Sequence, residues 1–425
     1  MTAGVAWPDL AAISRELDRA QWLPPGELAA AQHRQLAELV RHAPTAPHYE
    51  QLPAWDGHLA SLPILTRDAA IAAGDRLASR RYPADHGATL EVKTSRTTGE
   101  PVRLRATAVT TRLWTALTLR DHAWHGRDLR AKLAAIRYAT EPAPPPLGAH
   151  RRGWGPATDA LAPDAPLAML SVVSTTDDQV AWLRREDPAY LLAYPTVVDA
   201  IARRLRELGA RLPALREVRT ICEALSPDTR ALVRDVLGVP VVDTYSAEEV
   251  GHIAMQCPAA HAYHVAESVI VEVLRDDDAP CAPGEVGRVV VTALHNFATP
   301  IVRYEIGDYA EVGAPCPCGR GLPTLARVVG RRRNMLRYPD GRTMWPVFTV
   351  PCRNAAHYRE LQLVQDAPAH LRVRVVEAPG KPLDRRALVA ALHGALGRDF
   401  EIAVEVVDAL ARSPAGKLEE FVSCL

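Results

Sequence analysis

The feature that most constrains the fold of this chain is an alternation of helical and strand-like segments. Up to about residue 250, stretches with apolar residues three and four positions apart alternate with short β-branched runs. Residues 237–242, Leu-Gly-Val-Pro-Val-Val, combine a helix end with the start of such a run. This alternation is typical of α/β proteins, in which helices cover a mostly parallel sheet. We therefore predict the α/β class, with a large multi-sheet N-terminal domain.

The pattern changes near residue 330, and this change divides the chain into two domains. The 425 residues are roughly three times a typical domain length. After a Gly-Arg-Arg-Arg-Asn run at 330–334, strand-like segments flank a helical one. We predict a large domain at 1–330 and a small α+β domain at 331–425. Within the large domain, a stretch rich in Pro, Gly and Ala at 141–166 predicts a surface loop.

Composition and patterning exclude several classes of protein. Lys+Arg and Asp+Glu both number 50, so no global basic field would attract nucleic acid. Because no run of 18 or more apolar residues occurs, we expect no membrane span. The N-terminal residues lack the basic and apolar regions of a secretory signal, and the seven cysteines do not form a disulfide framework. We expect a cytoplasmic protein without nucleic-acid or membrane partners.

Two motifs suit a nucleotide. Residues 94–101, Thr-Ser-Arg-Thr-Thr-Gly-Glu-Pro, lie between extended segments, and hydroxyl and backbone N–H groups on such a turn suit phosphate oxygens. The alternative is an ordinary polar hairpin turn. Residues 243–249, Asp-Thr-Tyr-Ser-Ala-Glu-Glu, follow a short strand, where an acid could hold Mg²⁺ beside a nucleotide. The alternative there is a capped helix start.

Two single residues add to this pattern. Asp308 follows Gly307 in Arg-Tyr-Glu-Ile-Gly-Asp, and its carboxylate could accept hydrogen bonds from two ribose hydroxyls. Lys417 ends Arg-Ser-Pro-Ala-Gly-Lys, and on a glycine-containing turn it could reach an anionic reacting centre. Taken alone, the first reads as a turn aspartate and the second as a solvated lysine.

Together and in this order, the four motifs resemble the adenylate-forming superfamily of acyl-CoA synthetases, adenylation domains and luciferases. Within it, the chain looks most like the phenylacetate–CoA ligase branch, including relatives that adenylylate a deazaflavin coenzyme. The resemblance extends over about residues 60–425. The narrower match rests on motifs within 215–330: Glu223-Ala224-Leu225, Tyr245–Glu249, Cys257 with His264, Pro283–Arg288, Pro300–Tyr304 and Cys316–Arg320.

The resemblance implies a ligase that works in two steps. A carboxylate, expected to be an aryl or small organic acid, attacks the α-phosphate of ATP to give an acyl-adenylate and pyrophosphate. Coenzyme A then displaces AMP. Two alternatives stay open. One keeps the adenylate but uses an amine, a carrier protein or a hydroxyl as acceptor, as in an amide ligase or adenylyltransferase. The other is a non-catalytic nucleotide binder. A homodimer is also left open.

The resemblance also implies a nucleotide site in the 1–330 domain. Its residues surround the phosphates (Thr94, Ser95, Thr97, Thr98 and Gly99), the adenine (Glu223, Ala224, Asp243, Thr244, Tyr245 and Ser246) and the ribose (Asp308). In this arrangement Tyr245 stacks on the base.

Three residues are implied in catalysis. Glu249 would bind Mg²⁺, Arg331 would lie at the hinge near the ribose and α-phosphate, and Lys417 would bridge that phosphate and the attacking carboxylate. The family rotates the small domain between half-reactions, so 331–425 is expected to be mobile and to carry the catalytic lysine. Arg333 stands where the family has an acidic hinge residue.

Three residues concern the acid substrate. By resemblance, Tyr194 and Pro195 lie near the substrate, and Tyr138 is a further candidate for the border of the acyl pocket. Core aromatic residues are the alternative for each. Arg96 and Glu100 depart from the family pattern in the phosphate loop, where Gly and Lys are usual. These two departures bear on the first half-reaction.

A separate cluster concerns a metal. Cys257 with His264 and Cys316 with Cys318 offer two pairs of S and N ligands, which suit a closed, tetrahedral Zn²⁺ site without a catalytic role. Similar members of the branch carry the same pattern. His261 is an alternative ligand to His264, and free thiols are the alternative to a metal site.

Overall fold

The computed structural model divides the chain into a larger unit, Met1–Val328, and a smaller unit, Val329–Leu425. It describes residues 10–93, 101–138, 143–331, 334–346, 348, 351–352, 355–378, 380–412 and 418–425. Among these residues, we find no helix with the length and apolar character that a membrane crossing needs.

The larger unit alternates helices and strands. Its helices are α1 (Leu10–Ala20), α2 (Pro25–His42), α3 (Arg67–Ala73), α4 (Ala108–Trp124), α5 (Thr176–Glu186), α6 (Pro195–Glu207) and α7 (Pro227–Leu237). Its strands are β1 (Thr89–Lys93), β2 (Arg103–Thr107), β3 (Leu133–Arg137), β4 (Ala149–Arg152), β5 (Pro166–Ser171), β6 (Tyr190–Ala193), β7 (Glu217–Ile221), β8 (Val241–Ala247), β9 (Gly251–Gln256), β10 (Tyr263–Val265), β11 (Val269–Leu274), β12 (Val286–Ala293), β13 (Ile301–Val312) and β14 (Thr324–Arg331). The predicted α/β class is confirmed.

A 12-stranded sheet organises this unit, in the order β11-β12-β13-β14-β10-β9-β8-β7-β6-β3-β5-β4. Strands β5, β3, β6, β7 and β8 are mutually parallel, whereas β9 returns antiparallel to β8. A separate hairpin pairs β1 with β2 and flanks the predicted phosphate loop. The carboxyl ends of the parallel strands therefore meet along one edge, where α/β folds bind ligands.

Helix α7 shows how local sequence fixes these elements. The hydroxyl of Ser226 caps it by accepting from Thr229 N–H at 3.0 Å, and it ends at Gly238, whose φ of +70° suits glycine. Its neighbour α6 buries Val197, Val198, Ile201, Ala202 and Leu205, spaced three and four apart. These apolar faces cover the parallel strands and hold their carboxyl ends in place.

Two expectations about local structure were wrong. Residues 149–152, inside the predicted surface loop, form β4, an edge strand antiparallel to β5. Residues 243–247 belong to β8, which leads through a turn into β9, so the alternative of a capped helix start is excluded.

In its described residues, the smaller unit contains a four-stranded sheet, a two-stranded sheet and one long helix. The strands are β15 (Leu336–Arg337), β16 (Thr343–Met344), β17 (Tyr358–Ala367), β18 (His370–Glu377), β19 (Glu401–Val406) and β20 (Phe421–Ser423), and the helix is α8 (Arg385–Leu396). The sheet has the order β19-β18-β17-β20, and β15 pairs with β16 alone. Leu388, Leu392 and Leu396 of α8 are buried in the core of this unit.

Candidate functional site

Tyr245 on β8 and Asp308 on β13 meet although 63 residues separate them. The Tyr245 hydroxyl donates to Asp308 Oδ2 at 2.9 Å, and both residues are buried. Gly307, with φ of +84°, precedes the aspartate within β13. The structure thus joins two residues that the resemblance assigns to the adenine and the ribose.

Asp243 is held on both of its oxygens. Thr220 donates to Oδ1 at 2.6 Å and Tyr263 donates to Oδ2 at 2.7 Å, while Gln256 Oε1 accepts from the Asp243 N–H at 3.0 Å. Burial, opposed only in part by these hydrogen bonds, raises the pKa of Asp243 to about 6. The Asp243 carboxyl group therefore links β8 to β7 and β10.

Glu249, in the turn between β8 and β9, is contacted by two other elements. Arg67 Nη1, at the start of α3, donates to Oε1 at 3.1 Å, and the Tyr304 hydroxyl of β13 donates to the same oxygen at 3.4 Å. Glu249 is 8% exposed. Sequence reasoning missed Arg67, because a single arginine at a helix start carries no signal for a partner 182 residues away.

The carboxyl ends of adjacent parallel strands carry Tyr138 and Tyr194, which were predicted near the acid, and Glu223, which was predicted at the adenine. Tyr138 directly follows β3, Tyr194 follows β6, and Glu223 comes two residues after β7. The Tyr138 N–H donates to the Tyr194 hydroxyl at 3.3 Å, and Glu223 Oε2 accepts from Thr196 N–H at 3.1 Å and from its hydroxyl at 2.9 Å. Pro195 begins α6 at the same edge.

The remaining predicted residues fall into two groups. Ala224 is exposed and lies in the segment after β7. Thr244 and Ser246 lie on β8, on either side of Tyr245 in the sequence. Arg331 ends β14 within the smaller unit. The other predicted residues lie outside the described residues: Thr94, Ser95, Arg96, Thr97, Thr98, Gly99, Glu100, Arg333 and Lys417.

The cysteine–histidine cluster assembles from three segments: Cys257 follows β9, His264 lies on β10, and Cys316 and Cys318 lie between β13 and β14. The ligand atoms of Cys257, His264, Cys316 and Cys318 all lie within 4.8 Å of one another. The Cys257 and Cys316 sulfurs are 3.6 Å apart, and Cys318 Sγ is 3.2 Å from His264 Nε2. A tetrahedron with metal–sulfur arms of ~2.3 Å has edges of about 3.8 Å, so the four residues fit a closed site of three thiolates and one imidazole. His261 is not part of this cluster.

The chain matches no protein-family model. Over 170 residues it is 26% identical to a phenylacetate-coenzyme A ligase of Thermus thermophilus, a match that spans 38% of this chain and 38% of that ligase. Among solved structures, a 2-hydroxyisobutyryl-CoA ligase with bound 2-HIB-AMP has a TM-score of 0.72 at 18% identity, covering 96% of this chain and 91% of its own. An anthranilate CoA ligase with anthranoyl-AMP has a TM-score of 0.57 at 17% identity, covering 77% and 64%.

The chain therefore has the fold of these acyl- and aryl-CoA ligases, as the resemblance predicted. Over 170 residues its sequence is also similar to one phenylacetate-coenzyme A ligase.

Proposed function

We propose that this protein is an ATP-dependent ligase that activates a carboxylic acid as an acyl-adenylate and passes the acyl group to coenzyme A. The contact between Tyr245 and Asp308 carries the proposal. It unites the two motifs predicted to hold the adenosine, in a fold whose solved examples include ligases with bound acyl-AMP. The acids in the names of the similar proteins favour an aryl or small organic acid as substrate.

In the first step, the carboxylate oxygen attacks the α-phosphorus and pyrophosphate leaves. Tyr245 and residues 222–224 would hold the adenine, and Asp308 the ribose. Two anions must approach each other, so positive charge near the α-phosphate lowers the barrier. Arg67 and Tyr304 both donate to Glu249 Oε1. The hydrogen bonds found among the described residues do not involve Oε2, so this oxygen would be available to a Mg²⁺ ion. When bound, this ion would neutralise phosphate charge.

In the second step, the coenzyme A thiolate attacks the acyl carbon and AMP leaves. Lys417 and Arg331 belong to the smaller unit, whose boundary we propose as the hinge between half-reactions. Withdrawal of Lys417 after the first step would expose the acyl carbon to the thiolate.

Pyrophosphate release measured with ATP, Mg²⁺ and a panel of aryl and small organic acids tests the proposal. We expect acid-dependent release, and mass spectrometry should find an acyl-CoA when coenzyme A is present. An acyl-amide, an acylated carrier protein or an adenylylated hydroxyl compound would identify a different acceptor. ATP binding by calorimetry without release for any acid would instead favour a non-catalytic nucleotide binder.

We further propose that Cys257, His264, Cys316 and Cys318 bind a structural Zn²⁺ ion. Four protein ligands would fill the tetrahedral coordination and leave no open position for catalysis. We retain the cytoplasm as the proposed compartment, because its reducing conditions keep the three thiols available to a metal.

Replacing Glu249 by glutamine should lower acid-dependent pyrophosphate release about 10- to 100-fold and raise the Mg²⁺ concentration needed for half-maximal rate. Glutamine keeps the size of the side chain but removes the charge that would hold the cation. A Mg²⁺ titration of the rate measures both effects. Glu248→Gln, at the exposed neighbour, is the matched control. Equal Mg²⁺ dependence in parent and Glu249→Gln would exclude this role.

Asp243 should make stability depend on pH between about 4 and 6. Its pKa is raised in the folded state, so the folded chain binds the proton more tightly than the unfolded chain. Asp243 therefore contributes to the free energy of unfolding fully at pH values below 3.8, the pKa of the unfolded chain. This contribution is lost as pH rises through the folded-state pKa of about 6, and the total loss is roughly 3 kcal/mol. Urea unfolding of the parent and Asp243→Asn at several pH values measures the difference. A difference that stays constant from pH 4 to 7 would contradict this.

A further inference from the structure

Strand β17 of the smaller unit contacts the chain on each side of Lys417. Arg412 precedes the lysine by five residues, and its Nη2 donates to Glu360 Oε1 of β17 at 3.0 Å. The Arg412 and Glu360 side chains are only 26% and 23% exposed. Gln362, also on β17, donates from Nε2 to the carbonyl of Glu419 at 2.9 Å, and Glu419 follows the lysine by two residues.

The two contacts lie on one face of the four-stranded sheet. Glu360 and Gln362 pair in regular register with Val376 and Arg374 of β18, so their side chains point to the same side, about 7 Å apart along the strand. Leu361, between them, is buried in the core that contains α8. Two positions seven residues apart in the chain are therefore attached to neighbouring positions on the face opposite α8.

Apolar packing and strand pairing hold the same part of the chain. Leu410 and Leu418 pack with Val376 of β18, and the three residues are 6%, 9% and 4% exposed. After Leu418, the carbonyl of Glu420 accepts from the N–H of Leu363 at 2.8 Å, and β20 then pairs with β17. The backbone on both sides of the predicted catalytic lysine is therefore fixed to the sheet by polar and apolar contacts.

A lysine in the proposed role needs a fixed backbone. Its ammonium group is a point charge on a flexible four-carbon stem, so the backbone has to bring this charge within reach of the α-phosphate. Displacement of a catalytic group by about 1 Å can lower a rate about 100-fold. Glu360 and Gln362 belong to the same unit as Lys417, so their contacts would persist while this unit moves between half-reactions.

We propose that Glu360 and Gln362 are positioning residues for Lys417 in the adenylation step, a role that rests on the proposed ligase function. Both act through the chain that carries the lysine. Glu360 acts through Arg412, and Gln362 acts through the carbonyl of Glu419. The transfer to coenzyme A does not need the charge of the lysine, so it does not depend on these two residues.

Charge reversal followed by restoration tests the role of Glu360. Glu360→Arg and Arg412→Glu should each lower acid-dependent pyrophosphate release about 10-fold, and the double substitution should return the rate to within about 3-fold of the parent. Transfer of a preformed acyl-adenylate to coenzyme A should change by less than about 2-fold in all three variants. Gln362→Leu, which removes the amide donor, should lower pyrophosphate release about 3- to 10-fold.

Arg372→Glu is the matched control for charge reversal in this sheet. Arg372 pairs with Asp366 at 2.9 Å and links β18 to the end of β17. This variant should retain both half-reactions. A second comparison uses Lys417→Ala, in which Glu360→Arg should cause little further loss of pyrophosphate release, because its effect passes through the lysine.

The possible outcomes separate the positioning role from the function on which it rests. Pyrophosphate release by Glu360→Arg equal to that of the parent, equal slowing of both half-reactions, or a double substitution no faster than the single ones overturns the role and leaves the ligase proposal standing. A full further loss in the Lys417→Ala variant also overturns it. No release by the parent with any acid overturns both. If Glu360→Arg does not fold, Glu360→Ala and Gln362→Leu decide, and release equal to the parent in both overturns the role.

Discussion

Lys417→Ala should lower acid-dependent pyrophosphate release by about 10²- to 10³-fold, while the transfer of a preformed acyl-adenylate to coenzyme A persists. A cation that bridges the α-phosphate and the carboxylate acts where negative charge accumulates, and removal of one such group typically costs this much. The second half-reaction has no phosphate under attack, so it does not need this charge. Separate assays of the two half-reactions measure the split.

Lys381→Ala is the matched control for this substitution. Lys381 is the other lysine of the smaller unit. Its side chain is exposed, and its backbone forms an isolated antiparallel bridge with Ala378. The control should retain both half-reactions. If Lys417→Ala slows both half-reactions equally, Lys417 has a structural role in the smaller unit. If it slows neither, the assignment of the catalytic lysine is wrong.

The parts of the site that were predictable are those that follow strand ends. Tyr138 and Tyr194 directly follow β3 and β6, Glu223 comes two residues after β7, and the carboxyl ends of these parallel strands meet at one edge. The edge of the sheet on which these residues lie therefore follows from the strand order, and their roles stay predictions. The hydrogen bonds among them could not be predicted, because these depend on side-chain geometry across strands.

The parts that could not be predicted depend on contacts between distant segments. The bond from Arg67 to Glu249 joins a helix start to a turn 182 residues later. The contact between the Thr118 hydroxyl and His252 Nε2 joins α4 to β9 across 134 residues. Strand β4 has mostly exposed side chains and no apolar alternation, so only its pairing with β5 defines it. Local sequence contains none of this information.

The cysteine–histidine cluster could be predicted in part. Two Cys/His pairs were evident from their spacing, but the choice between His261 and His264 was not. The strand pairing decides it. His264 lies on β10, opposite Met255 of β9 and Thr324 of β14, and this pairing brings its ring to Cys318. His261 precedes that strand, and its carbonyl accepts from Gln256 instead.

Loss of the metal should destabilise the larger unit and change its tryptophan fluorescence. Arg320, two residues after Cys318, lies over the rings of Trp22 and Trp124 at 4.8 and 4.2 Å, and both Arg320 and Trp124 donate to Gln21 Oε1. Without the ion, three thiols and an imidazole lose the bonds that hold this turn against α1 and α4. We expect Cys318→Ser to lower Tm by roughly 5–10 °C.

The measurements are metal content, Tm and fluorescence for the parent, Cys318→Ser and Cys281→Ser. The parent should contain about one zinc per chain, Cys318→Ser should lack it, and Cys281→Ser should retain it because Cys281 is outside the cluster. A strong chelator should reproduce the effect of Cys318→Ser on the parent and have little effect on that variant. Because three thiolates and one imidazole would fill the coordination, any loss of ligase activity should follow the loss of folded protein. A parent that is free of metal and indifferent to the chelator would show that the four residues are held together by packing alone.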